Sequence, residues 1–219
     1  MSARVGVYYA PVFDDPLWIA GCAWLGRDPQ TGRSFDSGRE EMTADARLYG
    51  FHATLKPPMR MAHSWTALME DAERVAASIA PFDLPRLEVA SIGTFLALRE
   101  SVPCPPLNAL ADACVTELDS HRVPADAAEI ARRRKSKLSP EQDAMLLNWG
   151  YPHVLSTWRF HMTLTRRLSP EEWDVVQPEA MAHFAASLAQ PRRVADICLF
   201  TQAAPGAPFM LAERVPLHG

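Results

Sequence analysis

Residues 51–55 read Phe51-His52-Ala53-Thr54-Leu55, and residues 160–164 read Phe160-His161-Met162-Thr163-Leu164. Four of the five positions are identical, and the fifth is small or apolar in both copies. The two histidines lie 109 positions apart, so each falls in its own half of a 219-residue chain. Side chains of an extended strand alternate between faces. His52 and Thr54 therefore share one face against Phe51, Ala53 and Leu55, and His161 and Thr163 share one against Phe160, Met162 and Leu164. Each copy is set to bury an apolar face and to present an imidazole with a hydroxyl two residues on. Two such strands side by side aim two histidines and two threonines into one cleft, which suits acid–base chemistry on a phosphate ester.

The elements around the two copies recur in the same order. A strand is expected at about 49–56, ended by Pro57-Pro58, which lack backbone donors. A helix at 64–80 follows, with Trp65, Leu68, Met69, Ala72, Val75, Ala76 and Ile79 at helical spacing, and then one or two strands within 84–99. The second copy predicts a strand at 156–166, a helix at 170–188 opened by the capping box Ser169-Pro170-Glu171-Glu172, and a strand at 193–201 with a hairpin partner at 209–215. Before the first copy, 4–10 reads as a strand, Asp15-Pro16 as a helix start, and 26–41 as a loop. Between the copies come a helix at 107–121 and a polar connection at 122–150, the latter holding a capped helix from Ser139 to about Trp149-Gly150. The two-fold repeat predicts an α+β architecture of two similar lobes in a single domain over 1–219. The first lobe motif covers about 49–100 and the second about 156–201.

The composition is that of a globular chain with a substantial core, 48% hydrophobic and 22% charged. A net charge of −4 gives no global drive towards nucleic acid or anionic membrane, so any polyanion site must be local. Cys22, Cys104, Cys114 and Cys198 lack CxxC spacing and read as buried free thiols, against a zinc cluster or a disulfide framework. His63, His121, His153, His183 and His218 have no metal-ligand spacing, although His153 falls close enough to His161 to reach the rim. No P-loop, G-x-S-x-G or G-x-G-x-x-G is present. The N-terminal residues lack the pattern of a secretory leader, and no apolar run approaches a membrane span. A soluble, cytoplasmic, monomeric protein is the expectation.

Paired H-x-T-L segments about a hundred residues apart resemble the 2H phosphoesterase superfamily. The fuller forms, Tyr49-Gly50-Phe51-His52-Ala53-Thr54-Leu55-Lys56-Pro57-Pro58 and Trp149-Gly150-Tyr151-Pro152 leading to Arg159-Phe160-His161-Met162-Thr163-Leu164-Thr165, are similar to a bacterial branch linked to phosphonate metabolism, the DUF1045 family. The resemblance implies antiparallel sheets with outer helices around a central cleft, no metal or other cofactor, and cleavage of phosphodiesters, often 2′,3′-cyclic ones. It further implies that His52 and His161 are the catalytic pair and that Thr54 and Thr163 bind phosphoryl oxygens.

A cyclic phosphodiester needs a base to deprotonate water and an acid to protonate the leaving alkoxide, and two histidines can hold both states near neutrality. The near-symmetry of the copies leaves the two roles open. By period two, Lys56, Arg159 and Thr165 join the site face, where Lys56 or Arg159 offsets phosphate charge or simply sits at a strand end. Tyr8 or Tyr9 stacks on a base or sugar, or packs in the core. The basic run 132–137 grips a second phosphate or an RNA tail, or is a solvated helix face. The expected activity is metal-independent hydrolysis of a small cyclic phosphodiester, with ribose 1,2-cyclic phosphate in phosphonate breakdown as the specific candidate. The alternatives are a 2′,3′-cyclic nucleotide or RNA-end phosphodiesterase and a non-catalytic RNA-end binding module. A small pocket without aromatics favours the sugar phosphate; a long basic groove favours RNA.

Overall fold

A computed structural model describes residues 4–219; Met1–Ala3, part of the stretch read for a leader, lie outside the described residues. The chain runs β1 (Arg4–Tyr9), α1 (Pro16–Leu25), α2 (Glu40–Tyr49), β2 (Ala53–Arg60), α3 (Trp65–Ala77), β3 (Phe82–Leu84), β4 (Leu87–Ile92) and β5 (Phe95–Glu100). It continues through α4 (Pro105–Glu117), α5 (Ala127–Arg133), α6 (Pro140–Trp149), β6 (Met162–Thr163), α7 (Pro170–Leu188), β7 (Arg192–Val194), β8 (Asp196–Gln202) and β9 (Met210–Pro216). The fold is α+β. A seven-stranded antiparallel sheet has the order β4-β5-β6-β2-β1-β8-β9, and β3 pairs with β7 in a separate two-stranded sheet. The halves of the sequence interleave: hairpin β4-β5 of the first repeat lies beside β6 of the second, and hairpin β8-β9 of the second lies beyond β1 and β2.

Local chemistry accounts for most boundaries. The Asp15 side chain accepts from the Leu17 amide at 2.7 Å to cap α1, and Gly26 ends it at φ 68°. Both expected capping boxes form, Ser139 with Gln142 and Ser169 with Glu172. Helix α2, unassigned from sequence, starts with Glu40 and Glu41 in its first turn, where carboxylates favour the helix dipole. The connection at 122–150 holds a second short helix, α5, capped by Asp126.

Four strand expectations need correction. The strand expected from about 49 begins at Ala53, since Tyr49 ends α2, and the strand expected at 193–201 is two, β7 and β8, in different sheets. The other two concern the extent of the motif strands. β2 does not stop at Pro57-Pro58 but runs on to Arg60. Val5 pairs with Met59 and Val7 with Lys56, so Gly6 alone faces both prolines across a bulge, where missing donors cost no ladder bond. The expected strand at 156–166 shrinks to two residues. Leu155–Thr157 instead form a 3-10 turn, fixed by the Thr157 hydroxyl near the Pro152 and Val154 carbonyls, both at 2.8 Å.

The apolar faces of both motifs lie in one main core: Phe51, Ala53, Leu55, Phe160, Met162 and Leu164 are all essentially inaccessible. Each large side chain buried this way is worth about 1.5–3 kcal/mol. Phe51 lies directly against α1, where a Cβ at Gly21 would overlap its ring. Gly21→Ala is therefore expected to cost about 1–3 kcal/mol in urea unfolding, as over-packing does. An unchanged midpoint would show that Phe51 is free to move aside.

Candidate active site

Ala53 pairs with Met162, bringing the two motifs together across β2 and β6. Antiparallel register then sets Thr54 beside His161 and His52 beside Thr163. Directly opposed Cβ atoms stand about 4.5–5.5 Å apart, and diagonal neighbours, here the two histidines, about 7–8 Å. Burial alternates as the sequence demands: His52, Thr54, His161 and Thr163 are half-buried, and the residues between them are buried.

The imidazoles are held in matching ways. His52 Nδ1 lies 2.9 Å from the Gly50 carbonyl, and His161 Nδ1 lies 2.9 Å from the Arg159 carbonyl, in each case two residues back. A carbonyl only accepts, so Nδ1 carries the proton in both rings and Nε2 is left as the acceptor. The Thr54 hydroxyl lies 3.3 Å from His52 Nε2. Tyr8 stacks on His52 with ring centroids 3.9 Å apart, and Tyr49 and Phe200 close the wall at 6.0 and 6.2 Å. The Tyr8 side chain lies back along its strand over Gly6, where a Cβ would meet the phenol at 2.5 Å. Its hydroxyl is buried without a hydrogen-bond partner among the described residues.

Thr54 and His161 open into a cavity of about 620 Å³, lined also by Phe95, Tyr151, His153 and Trp158. That volume is within the range of small-molecule sites. Burial pushes His52 down to about 4, opposed by its bond to Gly50 and reinforced by His161. Burial also lowers His161, against its bond to Arg159 and the nearby Glu100. Burial and the charge of His161 lower His153.

The other expected site residues separate. Lys56 is 1% exposed and points into the interior, its Nζ donating to the Val115 carbonyl at 2.9 Å and to Asp119 at 3.0 Å. The cause is a bulge: Tyr8 pairs with Thr54 but Val7 with Lys56, so Leu55 is an extra residue and the faces exchange. Thr165 is 2% exposed, its hydroxyl accepting from the Leu96 amide at 3.0 Å and donating to the Arg166 carbonyl at 2.8 Å. Arg159 is exposed and lines the cavity. Tyr9 faces the core, 6.0 Å from Phe160, while Tyr8 is the aromatic at the site. Tyr151 and the Phe95 side were missed from sequence because no local pattern links them to the histidines. Among the described residues, no three His, Cys, Asp or Glu side chains are grouped to hold a metal, and no helix is long and apolar enough to cross a membrane.

A family model described as "Protein of unknown function (DUF1045)" matches residues 54–210, and the chain belongs to that family. It is 36% identical over 231 residues to the ribose 1,5-bisphosphate phosphokinase PhnN of Janthinobacterium sp. (strain Marseille), covering 99% of this chain and 51% of that protein. The PhnN of Laribacter hongkongensis (strain HLHK9) is 34% identical over 220 residues, covering 97% and 51%. The chain thus spans about half the length of these curated relatives. Among solved structures, E. coli LigT complexed with 3′-AMP aligns over 100% of both chains, with 11% identity and a TM-score of 0.49.

The buried histidines give stability a pH dependence. A histidine in the unfolded chain binds its proton near pH 6.5, whereas folded His52 does so only near 4. Between these values the unfolded state holds more protons, so stability falls as pH falls. The full contribution is present above pH 6.5 and lost by about pH 4, up to about 3 kcal/mol for His52; the lowered His161 acts with the same sign. Urea midpoints are expected to drop across this window, with a shallower slope in His52→Gln. An equal slope in the variant would place the titration elsewhere.

Proposed function

We propose that the protein is a phosphodiesterase that opens a cyclic phosphodiester carried on ribose, using His52 and His161 as the acid–base pair. The observation that carries this reading is the matched imidazole geometry: two histidines on paired strands, each ring fixed through Nδ1 to the carbonyl two residues back. In the proposed reaction, one neutral histidine takes a proton from water as the water oxygen bonds to phosphorus. The other, protonated, gives its proton to the ribose oxygen as the P–O bond breaks, leaving a phosphate monoester. Thr54 and Thr163 donate to the non-bridging oxygens as charge develops on them.

Ribose is supported by the name of the curated relatives, which act on ribose 1,5-bisphosphate, and a ribose 1,2-cyclic phosphate is the sugar-phosphate candidate. The kinase part of that name belongs to proteins about twice as long, and this chain has no P-loop to cradle a nucleotide triphosphate. A second reading, a 2′,3′-cyclic nucleotide, is favoured by Phe95, Tyr151 and Trp158 in the cavity wall, which offer faces for a base.

³¹P NMR with ribose 1,2-cyclic phosphate and with a 2′,3′-cyclic nucleotide, in EDTA, tests the activity. Conversion of at least one to a monoester is expected; turnover of neither sinks the proposal. His52→Ala and His161→Ala are each expected to lower kcat by about 10²–10⁴ with unchanged circular dichroism, and retention of most activity would remove that histidine from the mechanism. The bound phosphate's charge raises both imidazoles, which burial has lowered. The bell-shaped profile of kcat/KM is therefore expected to peak at a more acidic pH than that of kcat.

A further inference from the structure

A second cavity, of about 570 Å³, plays no part in the chemistry above. Its wall carries Arg4, Arg60, Arg122, Arg132 and Arg133, on a chain whose net charge is −4. The two carboxylates in the same lining are Asp126 and Glu129. Asp126 is engaged in capping α5, where it accepts from the Glu129 amide at 2.8 Å. Glu129 is shared between Arg132 at 3.7 Å and Arg133 at 3.2 Å. Arg122 is bound by Asp119 through two bonds of 2.8 Å.

Arg4 and Arg60 have no carboxylate partner among the described residues, and Arg133 keeps one donor free beside its pair with Glu129. Arg4 donates to the neutral Gln202 at 2.8 Å and lies over the Phe209 ring. Arg60 makes no ion pair and no side-chain hydrogen bond among the described residues. Arg133 Nε is buried with no partner among the described residues. Several guanidinium groups facing one cavity repel one another unless an anion joins them, and their planar forks match phosphate oxygens.

The two cavities are linked through consecutive residues of the chain. Trp149 and Gly150 line the arginine cavity and the next residue, Tyr151, lines the other. Arg133 lies over the Tyr151 ring at 4.8 Å, at the divide between them. A substrate with its cyclic phosphate between the histidines can thus extend past Tyr151 towards the arginines.

From this placement we infer that the arginine cavity is a second anion subsite, which takes a further phosphoryl group carried on the same substrate. The inference rests on the proposed phosphodiesterase reading and names a feature of its substrate: a ribose cyclic phosphate bearing phosphate at another position. The experiment compares adenosine 2′,3′-cyclic phosphate bearing a 5′-hydroxyl, a 5′-monophosphate or a 5′-triphosphate. KM is expected to fall by about tenfold or more on adding 5′-phosphate, with kcat little changed, since each charge-assisted contact is strong. The gain is expected to shrink with salt. Arg60→Gln combined with Arg132→Gln is expected to remove most of it, while turnover of the 5′-hydroxyl compound stays at the wild-type level.

Equal KM values across the three compounds, or a gain that survives the double variant, would overturn the subsite. If none of the three is hydrolysed, the phosphodiesterase reading fails instead, and titration calorimetry with the same compounds decides the subsite by itself. Tighter binding of the 5′-phosphorylated compounds, lost in the double variant, would sustain it, and equal binding would refute it.

Discussion

A single bridge, Ala53 to Met162, joins the two motif strands, and the candidate site exists only because of its register. β6 is two residues long and is sandwiched between β5 and β2. So short a strand has little ladder of its own to fix its alignment. The apolar side fixes it: Phe51, Leu55, Phe160 and Leu164 occupy the core, and a slip of one residue would turn all of them to the site face. Two indoles hold the strands from the backbone, Trp24 Nε1 donating to the Leu164 carbonyl at 2.9 Å and Trp158 Nε1 to the Thr54 carbonyl at 2.8 Å. Such bonds satisfy carbonyls that so short a ladder leaves unpaired. The imidazole positions are thus a product of core packing.

The same parity shows what was legible in the sequence. Alternation through Phe51-His52-Ala53-Thr54-Leu55 and its second copy was readable because both faces are constrained at once, apolar side chains inward and polar side chains outward. It failed immediately afterwards in both copies. Leu55 and Lys56 are both buried, and so are Leu164 and Thr165. In the first copy a bulge exchanges the faces; in the second, the Leu164 and Thr165 amides both approach the Leu96 carbonyl, at 2.9 and 3.3 Å, as the strand ends. A bulge is set by the partner strand, which a period-two rule does not consult. The capping boxes at Ser139 and Ser169 were legible for the opposite reason, since a cap involves only four consecutive residues. Tyr8 and Tyr9 could not be told apart because their faces depend on which strand pairs with β1 and in what register.

The aromatic wall around His52 sets the electrostatics. A ring stacked at 3.9 Å excludes water from one face of the imidazole, and exclusion of water disfavours the charged form. Gly6 is what permits the stack, because any side chain there would displace the phenol lying above it. The neutral forms that result suit a site waiting for an anion. Two cationic imidazoles at this spacing would repel each other, and a pair of neutral ones leaves no acid.

Entry of the proposed phosphodiester would resolve that conflict. On the proposed reading its negative charge, placed between the two imidazoles, would favour protonation of one ring, while repulsion between the rings would disfavour protonation of both. The singly protonated state that the proposed base and acid require would then be produced by the substrate itself. Burial sets how low each imidazole starts, and the phosphate sets how far one of them rises. On this logic the backbone carbonyls of Gly50 and Arg159 do more than orient the rings. Each fixes the Nδ1 proton in place, so that a proton gained on binding an anion must go to Nε2, the nitrogen that the proposed reaction would use.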